Sequence, residues 1–282
     1  LPFPLINMAE SYVKEKEAEF IAKSMLVGSG PILKKLLRNN PSYTIGIVGP
    51  GKVGSKTLYL LLENYPEASF CLYDKESSVY TSGDIESLRQ EDGRWQRVSR
   101  SGSIEQLFQQ NAIVFSFTGH DITADLPSDF FTANHTPMNW HLISGSSGDI
   151  EFLSVLTQMP DYRFESLADI RDYTRALGAN SDGSSHSITL YNGGFPANFS
   201  ANQPKAVPVK EIQVTRAMKL ASLVQALNLL AVMLLISRGD HQTLKAYMKL
   251  DARYQWEIIQ AFYRDLIQGC SPEEQLAYKA KY

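Results

Sequence analysis

Residues 43–63 read YTIGIVGPGKVGSKTLYLLLE and hold three glycines at the spacing G-x-G-x-x-G. The apolar run before the glycines has no polar alternation, which is typical of a strand buried on both faces. The residues from 54 to 64 read as a helix. A glycine turn between a strand and a helix can hold a dinucleotide pyrophosphate, so this stretch predicts a nucleotide site.

Each glycine of the turn has a separate physical reason. Gly49 lets the chain turn tightly after the strand, Gly51 lets the backbone approach a pyrophosphate, and Gly54 lets the helix pack closely on the strand. The N–H groups at the helix start point toward the phosphates. We therefore predict that the whole turn binds the cofactor, with Gly49, Pro50, Gly51, Lys52, Val53 and Gly54. The open alternative is a tight turn that binds nothing.

A second apolar strand, residues 68–74, ends at Asp74, which follows Gly54 by 20 residues. A carboxylate at this position hydrogen-bonds the adenosine ribose and repels a 2′-phosphate. The sequence therefore predicts NAD in preference to NADP, although Lys75 stands beside Asp74. The alternative is that Asp74 is only a solvated strand end.

Strand and helix patterns alternate through the middle of the chain. Apolar segments predict strands at 43–49, 68–74, 94–99, 112–119, 140–147 and 187–195, with helices at 54–64, 103–110 and from 148. This alternation predicts an α/β fold, a Rossmann-type doubly wound parallel sheet flanked by helices. Residues 9–38 predict two helices separated at GSGP, residues 28–31. Residues 77–92 are polar and partly helical.

The predicted organisation has three parts. They are an N-terminal helical segment at 1–42, a Rossmann NAD-binding domain at 43–207 and an all-helical C-terminal region at 208–282. Residues 220–237 are apolar for about one membrane thickness, but they contain Ser222, Gln225 and Asn228. We therefore predict that residues 210–237 form a long buried helix that packs on the sheet domain or on a partner subunit, with no membrane span. We also expect a homo-oligomer.

The composition narrows the classes of partner. The formal net charge of −3 carries no basic excess, so we predict no nucleic-acid partner. Of the two cysteines, Cys71 falls in a predicted buried strand, which argues against a disulfide framework. The first residues lack the pattern of a signal peptide, and we expect a cytoplasmic protein.

Three loops after predicted strands carry further candidates, because strand carboxyl ends line the ligand crevice of such a sheet. Thr118 and Gly119 are positioned to contact the nicotinamide ribose. His120 is a candidate acid or base, or a loop histidine without chemistry. Asp149 is most simply the N-cap of the next helix. Asn198 could hydrogen-bond a carboxamide, and the histidines and cysteines show no metal-ligand spacing.

The succession GIVGPGKVG, LYD, FTGHDI, SGSSGDIEF and ITLYNGGFPANFS resembles that of S-adenosylhomocysteine hydrolases, over about residues 4–225. The upstream PLINMAESYVKEKEAEF resembles the segment that leads into that family's cofactor domain. The resemblance implies tightly held NAD that oxidises and later reduces the substrate ribose. It implies that Gly49, Gly51, Gly54 and Asp74 hold NAD, that Thr118, Gly119 and Asn198 line its nicotinamide end, and that Lys14 is a catalytic lysine.

The chain departs from that family at several positions. Ala18 and Glu19 stand where the family has an acidic residue and an amide, and Ser147 stands where it has a histidine. The histidine-proline element after the last glycine-rich loop is missing, as is nearly all of the N-terminal adenosine-binding domain. We therefore carry over the fold and the cofactor but not the hydrolase reaction.

Two functions remain open at this point. One is a divergent NAD-dependent oxidoreductase that acts on an unknown small-molecule substrate, with Lys14 and His120 as candidate catalytic residues. The other is a non-catalytic NAD(H)-binding protein with a regulatory or assembly role. The departures favour the second function, and the retained glycine turn, Lys14 and His120 favour the first.

Overall fold

The computed structural model describes residues 5–7, 12–41, 43–76, 79, 85–86, 89, 93–131, 138–146, 150–158, 163–164, 173–179, 185–199, 209–236, 247–267 and 271–272. Packing divides the chain into two compact units, one of Glu19–Ala206 and one of Leu1–Ala18 with Val207–Tyr282. Residues 19–39 lie in the larger of these two units. The division at 42 and 207 stays a prediction.

Ten strands and six α-helices are described. The strands are β1 Leu5–Asn7, β2 Thr44–Val48, β3 Ser69–Tyr73, β4 Val98–Arg100, β5 Ile113–Ser116, β6 Asn139–Ser144, β7 Arg163–Phe164, β8 Tyr173–Ala179, β9 Ser185–Leu190 and β10 Tyr247–Lys249. The helices are α1 Tyr12–Asn39, α2 Lys52–Asn64, α3 Ile104–Gln110, α4 Leu153–Gln158, α5 Val209–Ile236 and α6 Ala252–Ile267.

The larger unit is built on one sheet of eight strands in the order β4-β3-β2-β5-β6-β9-β8-β7. The strands from β4 to β9 in that order are parallel, and β8 and β7 extend the sheet antiparallel. The strand order reverses between the neighbours β2 and β5, and ligands of such sheets bind beyond the carboxyl ends of the strands at this point. The predicted Rossmann-type fold is confirmed.

Both faces of the central parallel strands β2, β3 and β5 are largely buried, as their unbroken apolar runs predict. On β5, Ile113 and Phe115 belong to a core with residues of α1 and α2. Val114 belongs to a second core, with residues of α3 and the aromatic side chains Phe130 and Trp140. Neighbouring side chains of one strand point to opposite faces, so helices must cover both faces of the sheet.

The predicted break at residues 28–31 is wrong, because α1 runs through Pro31. A Cβ at Gly28 would collide with the carbonyl oxygen of Ala197, so the glycine allows a close backbone approach. The hydroxyl of Ser29 donates to the Met25 carbonyl oxygen at 2.7 Å. Leu33 is fully buried beyond the proline, and this packing offsets the backbone hydrogen bond that proline cannot make.

Other predicted boundaries also shift. Residues 93–97 form a 3₁₀ turn, so the strand predicted at 94–99 is confined to β4. Helix α4 begins at Leu153 instead of near residue 148, and Asp149 lies outside the described residues. Strands β7 and β8 were missed, since their sequence lacks an apolar run. Most of the polar stretch 77–92 lies outside the described residues.

The smaller unit pairs β1 with β10 in parallel beside α5 and α6. Among the described residues of 208–282, which were predicted to be all helical, Tyr247–Lys249 form the strand β10. Gln225, a polar residue within the apolar α5, donates to the Lys249 carbonyl oxygen at 3.1 Å and accepts from the Asp251 N–H at 2.8 Å. Its amide therefore satisfies backbone groups at the end of β10.

The predicted long helix at 210–237 is present as α5, and its packing on the sheet domain or on a partner subunit stays a prediction. Met218 is buried, whereas Leu220, Leu223 and Leu227 are exposed. None of the helices formed by described residues is both long enough and apolar enough to cross a membrane. The homo-oligomer stays a prediction. Cys71 is a buried free thiol in β3, and Cys270 lies outside the described residues.

Candidate functional site

The glycine turn joins β2 to α2, and each of its glycines has a different environment. Gly49 has φ +74°, and a Cβ there would lie 2.8 Å from the Thr118 Cγ2. A Cβ at Gly54 would lie 2.5 Å from the Gly49 carbonyl oxygen, so the helix packs directly on the turn. A Cβ at Gly51 would have no heavy atom of a described residue within 4 Å. Two glycines are therefore required by the fold, and the third opens onto free space.

Among the described residues, no side chain caps the amino end of α2. Gly51 is the N-cap residue, and the first turn of the helix has no acidic residue. Lys52 is exposed and Val53 is half-buried. An uncapped helix start presents N–H donors and the positive end of the helix dipole, and both favour an anionic group.

A cleft of about 470 Å³ lies beside this turn. It is lined by the carboxyl ends of β2 and β3 and by the loop after β5, and it brings together five predicted site residues: Gly49, Gly51, Asp74, Thr118 and His120. Pro50, Lys52, Val53, Gly54, Gly119 and Asn198 are not among its lining residues. The cleft therefore contains the predicted turn and the predicted ribose carboxylate, but not every predicted contact.

Asp74 follows β3 at the cleft wall. Its Oδ1 accepts a hydrogen bond from the Glu76 N–H at 2.9 Å. The neighbouring Lys75 extends toward another acid, because its Nζ lies 2.6 Å from the Asp125 Oδ2. This hydrogen bond and the Asp125 charge raise the pKa of the Lys75 ammonium above its usual range. Lys75 and Asp125 thus join the two walls of the cleft at its β3 side.

The loop after β5 presents Thr118 and His120 to the cleft. Gly119 between them has φ +69°, a conformation that favours glycine. The Thr118 hydroxyl donates to the His120 carbonyl oxygen at 3.0 Å and lies 3.1 Å from the His120 N–H. These local bonds fix the loop, and the His120 side chain stays exposed.

Sequence reasoning missed Glu151, which is fully buried between two loops. Its Oε1 accepts hydrogen bonds from the N–H groups of Thr118 and Gly119. The N–H groups of two residues predicted to contact the nicotinamide ribose, Thr118 and Gly119, are therefore directed at Glu151. The available signal was one charged residue in the apolar stretch IEFLSVL, residues 150–156.

Asp121 was missed as well, and it caps α4 from another loop. Its Oδ2 accepts from the Ser154 N–H at 2.7 Å and from the Ser154 hydroxyl at 2.6 Å. Its Oδ1 accepts from the N–H and the hydroxyl of Thr123. A carboxylate at the amino end of a helix satisfies free N–H donors, which is the capping function expected of Asp149.

The glycine-rich loop after β9 holds Asn192 at φ +55°, with its Nδ2 donating to the Pro196 carbonyl oxygen at 3.0 Å. Asn198 is buried, and its Oδ1 has no hydrogen-bond partner among the described residues. A buried acceptor without a partner is costly, and Asn198 lies outside the lining of the cleft.

Several predicted residues cannot be compared with the cleft. Lys14 lies in α1, but its side chain is outside the described part of the chain, and Ser147 is outside it altogether. Within the described ranges, no group of three or more histidine, cysteine, aspartate or glutamate side chains could hold a metal ion.

No protein-family model matches this chain, and no curated protein matches it. Among solved structures, a Salmonella D-lactate dehydrogenase is 17% identical over 53% of this chain and 46% of its own, with a TM-score of 0.33. A 2-hydroxyacid dehydrogenase from Ketogulonicigenium vulgare Y25 is 13% identical over 77% of this chain and 67% of its own, with a TM-score of 0.37. The chain spans about half of the Salmonella enzyme. No functional conclusion follows from these likenesses.

Proposed function

We propose that this chain binds NAD(H) in the cleft beside the glycine turn and is a divergent oxidoreductase-type relative of S-adenosylhomocysteine hydrolases with an unidentified small-molecule substrate. One observation carries the cofactor proposal. The free space over Gly51 adjoins the uncapped start of α2, and Asp74 lines the same cleft. Free space, N–H donors and a ribose acceptor are the three features that an adenine dinucleotide requires.

Different residues of the chain would bind different parts of the cofactor. The N–H groups at the start of α2 would bind the pyrophosphate, and the absence of a side chain at Gly51 would let it approach. Asp74 would accept hydrogen bonds from the adenosine ribose hydroxyls. Thr118 and Asn198 would lie toward the carboxamide end. When bound, NAD supplies the hydride acceptor for oxidation of an alcohol.

The proton chemistry would fall to His120 and Lys14. His120 lines the cleft, its side chain is exposed, and a histidine can exchange a proton near neutral pH. Lys14 is proposed only by its place in the resemblance to the hydrolases. The substrate itself is not specified by the residues of the cleft.

A second candidate is a non-catalytic NAD(H)-binding protein with a regulatory or assembly role. Three departures from the hydrolases favour it: Ser147 replaces a histidine, Ala18 an acidic residue and Glu19 an amide. The methyl side chain of Ala18 has no group that could give or take a proton.

Two measurements separate these candidates. Calorimetric titration with NAD tests the cofactor, and absence of binding at millimolar NAD contradicts both. The NAD-loaded protein is then incubated with a panel of secondary alcohols, nucleosides included, while the absorbance of NADH is followed. Reduction that His120→Ala abolishes supports the oxidoreductase. Binding without reduction by any alcohol supports the non-catalytic protein.

A further inference from the structure

Glu151 is a fully buried acidic side chain whose two oxygens bind two different loops. Its Oε1 accepts from the Ser116 hydroxyl at 2.9 Å, the Thr118 N–H at 2.7 Å and the Gly119 N–H at 3.1 Å. These three donors belong to the end of β5 and the loop after it. All three are neutral groups, so this side of the carboxyl group is held by neutral hydrogen bonds.

The second carboxyl oxygen of Glu151 binds the neighbouring strand in the same way. The Oε2 atom accepts from the Ser144 hydroxyl at 2.7 Å, the Gly145 N–H at 3.1 Å and the Ser146 N–H at 3.3 Å. These donors belong to the end of β6 and the loop after it. Burying an acid is costly unless its acceptors are satisfied, and six donors converge here on one side chain.

We propose that Glu151 is a positioning residue that fixes the nicotinamide half of the cofactor site by joining the loops after β5 and β6. This inference rests on the proposed binding of NAD. A doubly wound sheet of this order has two mononucleotide-binding halves. The half with β2 and β3 carries the glycine turn and Asp74, and the half with β5 and β6 carries the Glu151 contacts.

Glu151 acts through other residues, since it is fully buried and does not line the cleft. Thr118 is the link, because its N–H is held by Glu151 while the residue itself lines the cleft. The Thr118 hydroxyl in turn bonds the backbone of His120. The position of His120 in the cleft therefore depends on Glu151 through one intervening residue.

The two loops also pack tightly, which limits how they can relax. The Phe117 ring lies against Gly145 so closely that a Cβ on the glycine would collide with it. The Gly145 N–H also donates to the Ser116 carbonyl oxygen at 2.8 Å. A change at Glu151 should therefore shift both loops together, and Gly51 and Asp74 lie outside these loops.

The arrangement requires a carboxylate, not merely a polar side chain of the same size. In Glu151→Gln, the NH₂ group would face the N–H groups on one side, so donors would oppose donors. The test compares the affinities of this variant for NAD and for ADP-ribose, which lacks the nicotinamide. Asn111→Ala is the matched control, because Asn111 is fully buried and its Nδ2 bonds the Leu107 carbonyl oxygen before β5, away from the cleft.

We expect Glu151→Gln to lose more affinity for NAD than for ADP-ribose. Glu151→Gln should weaken NAD about tenfold or more and ADP-ribose by about twofold or less, since each lost hydrogen bond to an ion carries a sizeable penalty. Asn111→Ala should leave the ratio of the two affinities unchanged. Equal losses for both ligands, or no loss for either, would overturn the proposal.

Milder variants guard against a Glu151→Gln protein that does not fold. Ser116→Ala and Ser144→Ala each remove one donor and keep the carboxylate. Together they should lower the NAD to ADP-ribose affinity ratio several-fold, and an unchanged ratio contradicts the role of Glu151. A wild-type protein that binds neither ligand contradicts the proposed function instead. Amide hydrogen exchange of Thr118, Gly119, Gly145 and Ser146 then tests whether Glu151 joins the two loops. Rapid exchange at all four amides would show that it does not.

Discussion

The Lys75 Nζ lies 2.6 Å from the Asp125 Oδ2, so the lysine beside Asp74, the proposed ribose acceptor, is already engaged by another acid. The sequence places Lys75 where it could attract a 2′-phosphate, which would weaken a preference for NAD. The ion pair directs this charge to the loop after β5. Both side chains are largely exposed, so the pair itself contributes little to stability.

Releasing Lys75 should improve the binding of NADP. In Asp125→Asn the ammonium loses its partner, and a repelling charge leaves the cleft. We expect NADP to bind about two- to fivefold more tightly and NAD to change by less than about twofold. Competition titrations measure the two affinities, and Glu63→Gln, an exposed change at the other end of α2, is the control. An unchanged NADP affinity would show that the pair has no part in selectivity.

Gly51→Val should abolish NAD binding while the fold stays intact. The Gly51 backbone is extended, with φ −68° and ψ −159°, so no left-handed conformation requires the glycine, and the new side chain would extend into open space. That space is the proposed pyrophosphate position. The melting temperature should match the wild type, whereas Gly49→Val should lower it, because Gly49 has a positive φ and touches Thr118. Retained NAD affinity in Gly51→Val would make the turn purely structural.

Arg97→Ala should destabilise the sheet unit. The Arg97 guanidinium donates to the carbonyl oxygens of Leu62, Tyr65 and Ala68 at 2.8–2.9 Å, where α2 ends. Charged hydrogen bonds to the carbonyl groups at the end of a helix satisfy acceptors that the helix cannot, and we expect a loss of about 2–3 kcal/mol in the free energy of unfolding.

Arg94→Ala is the matched control for that measurement. Arg94 lies in the same 3₁₀ turn and contacts the Tyr59 ring of α2 at 5.4 Å from the centroid. A cation–π contact at a partly exposed site is weaker, so the loss should be about 0.5–1 kcal/mol. Urea unfolding curves give both values. Equal losses would mean that Arg97 does not stabilise the end of α2.

A polypeptide of these 282 residues should not hydrolyse S-adenosylhomocysteine at an ordinary enzyme rate. Ser147 and Ala18 replace a histidine and an acidic residue of the hydrolases, and each lost acid–base group costs roughly 10²–10⁴-fold in rate. The assay follows homocysteine release from the NAD-loaded protein. Turnover above about 1 s⁻¹, within the usual range for enzymes, would restore the full hydrolase function.

The parts of the fold that sequence predicts are those with local causes. Apolar runs predict β2, β3 and β5, and the spacing of Gly49, Gly51 and Gly54 predicts the turn. Where contacts between residues distant in sequence determine an element, the sequence does not predict it. Helix α1 continues through Pro31 because the buried Leu33 and the approach of Gly28 to Ala197 outweigh the local break signal.

The same division applies to the site. Asp74 is predictable because it follows a strand at a fixed distance from the turn. The contacts of Glu151 with the loop after β5 join residues more than 30 positions apart, and no local pattern encodes such a pairing. The Lys75–Asp125 pair is likewise non-local, so the sequence shows the lysine but not the acid that engages it.

The central claim is that the cleft binds NAD and that Asp74 selects it over NADP. Parallel titrations of the wild-type protein and of Asp74→Ala with NAD and with NADP test this claim most directly. Wild-type protein should bind NAD at least about tenfold more tightly than NADP, because the carboxylate accepts ribose hydrogen bonds and repels a phosphate. Asp74→Ala should weaken NAD about tenfold and remove the preference. Equal affinities of the wild type for both dinucleotides, or no binding of either, would contradict the account.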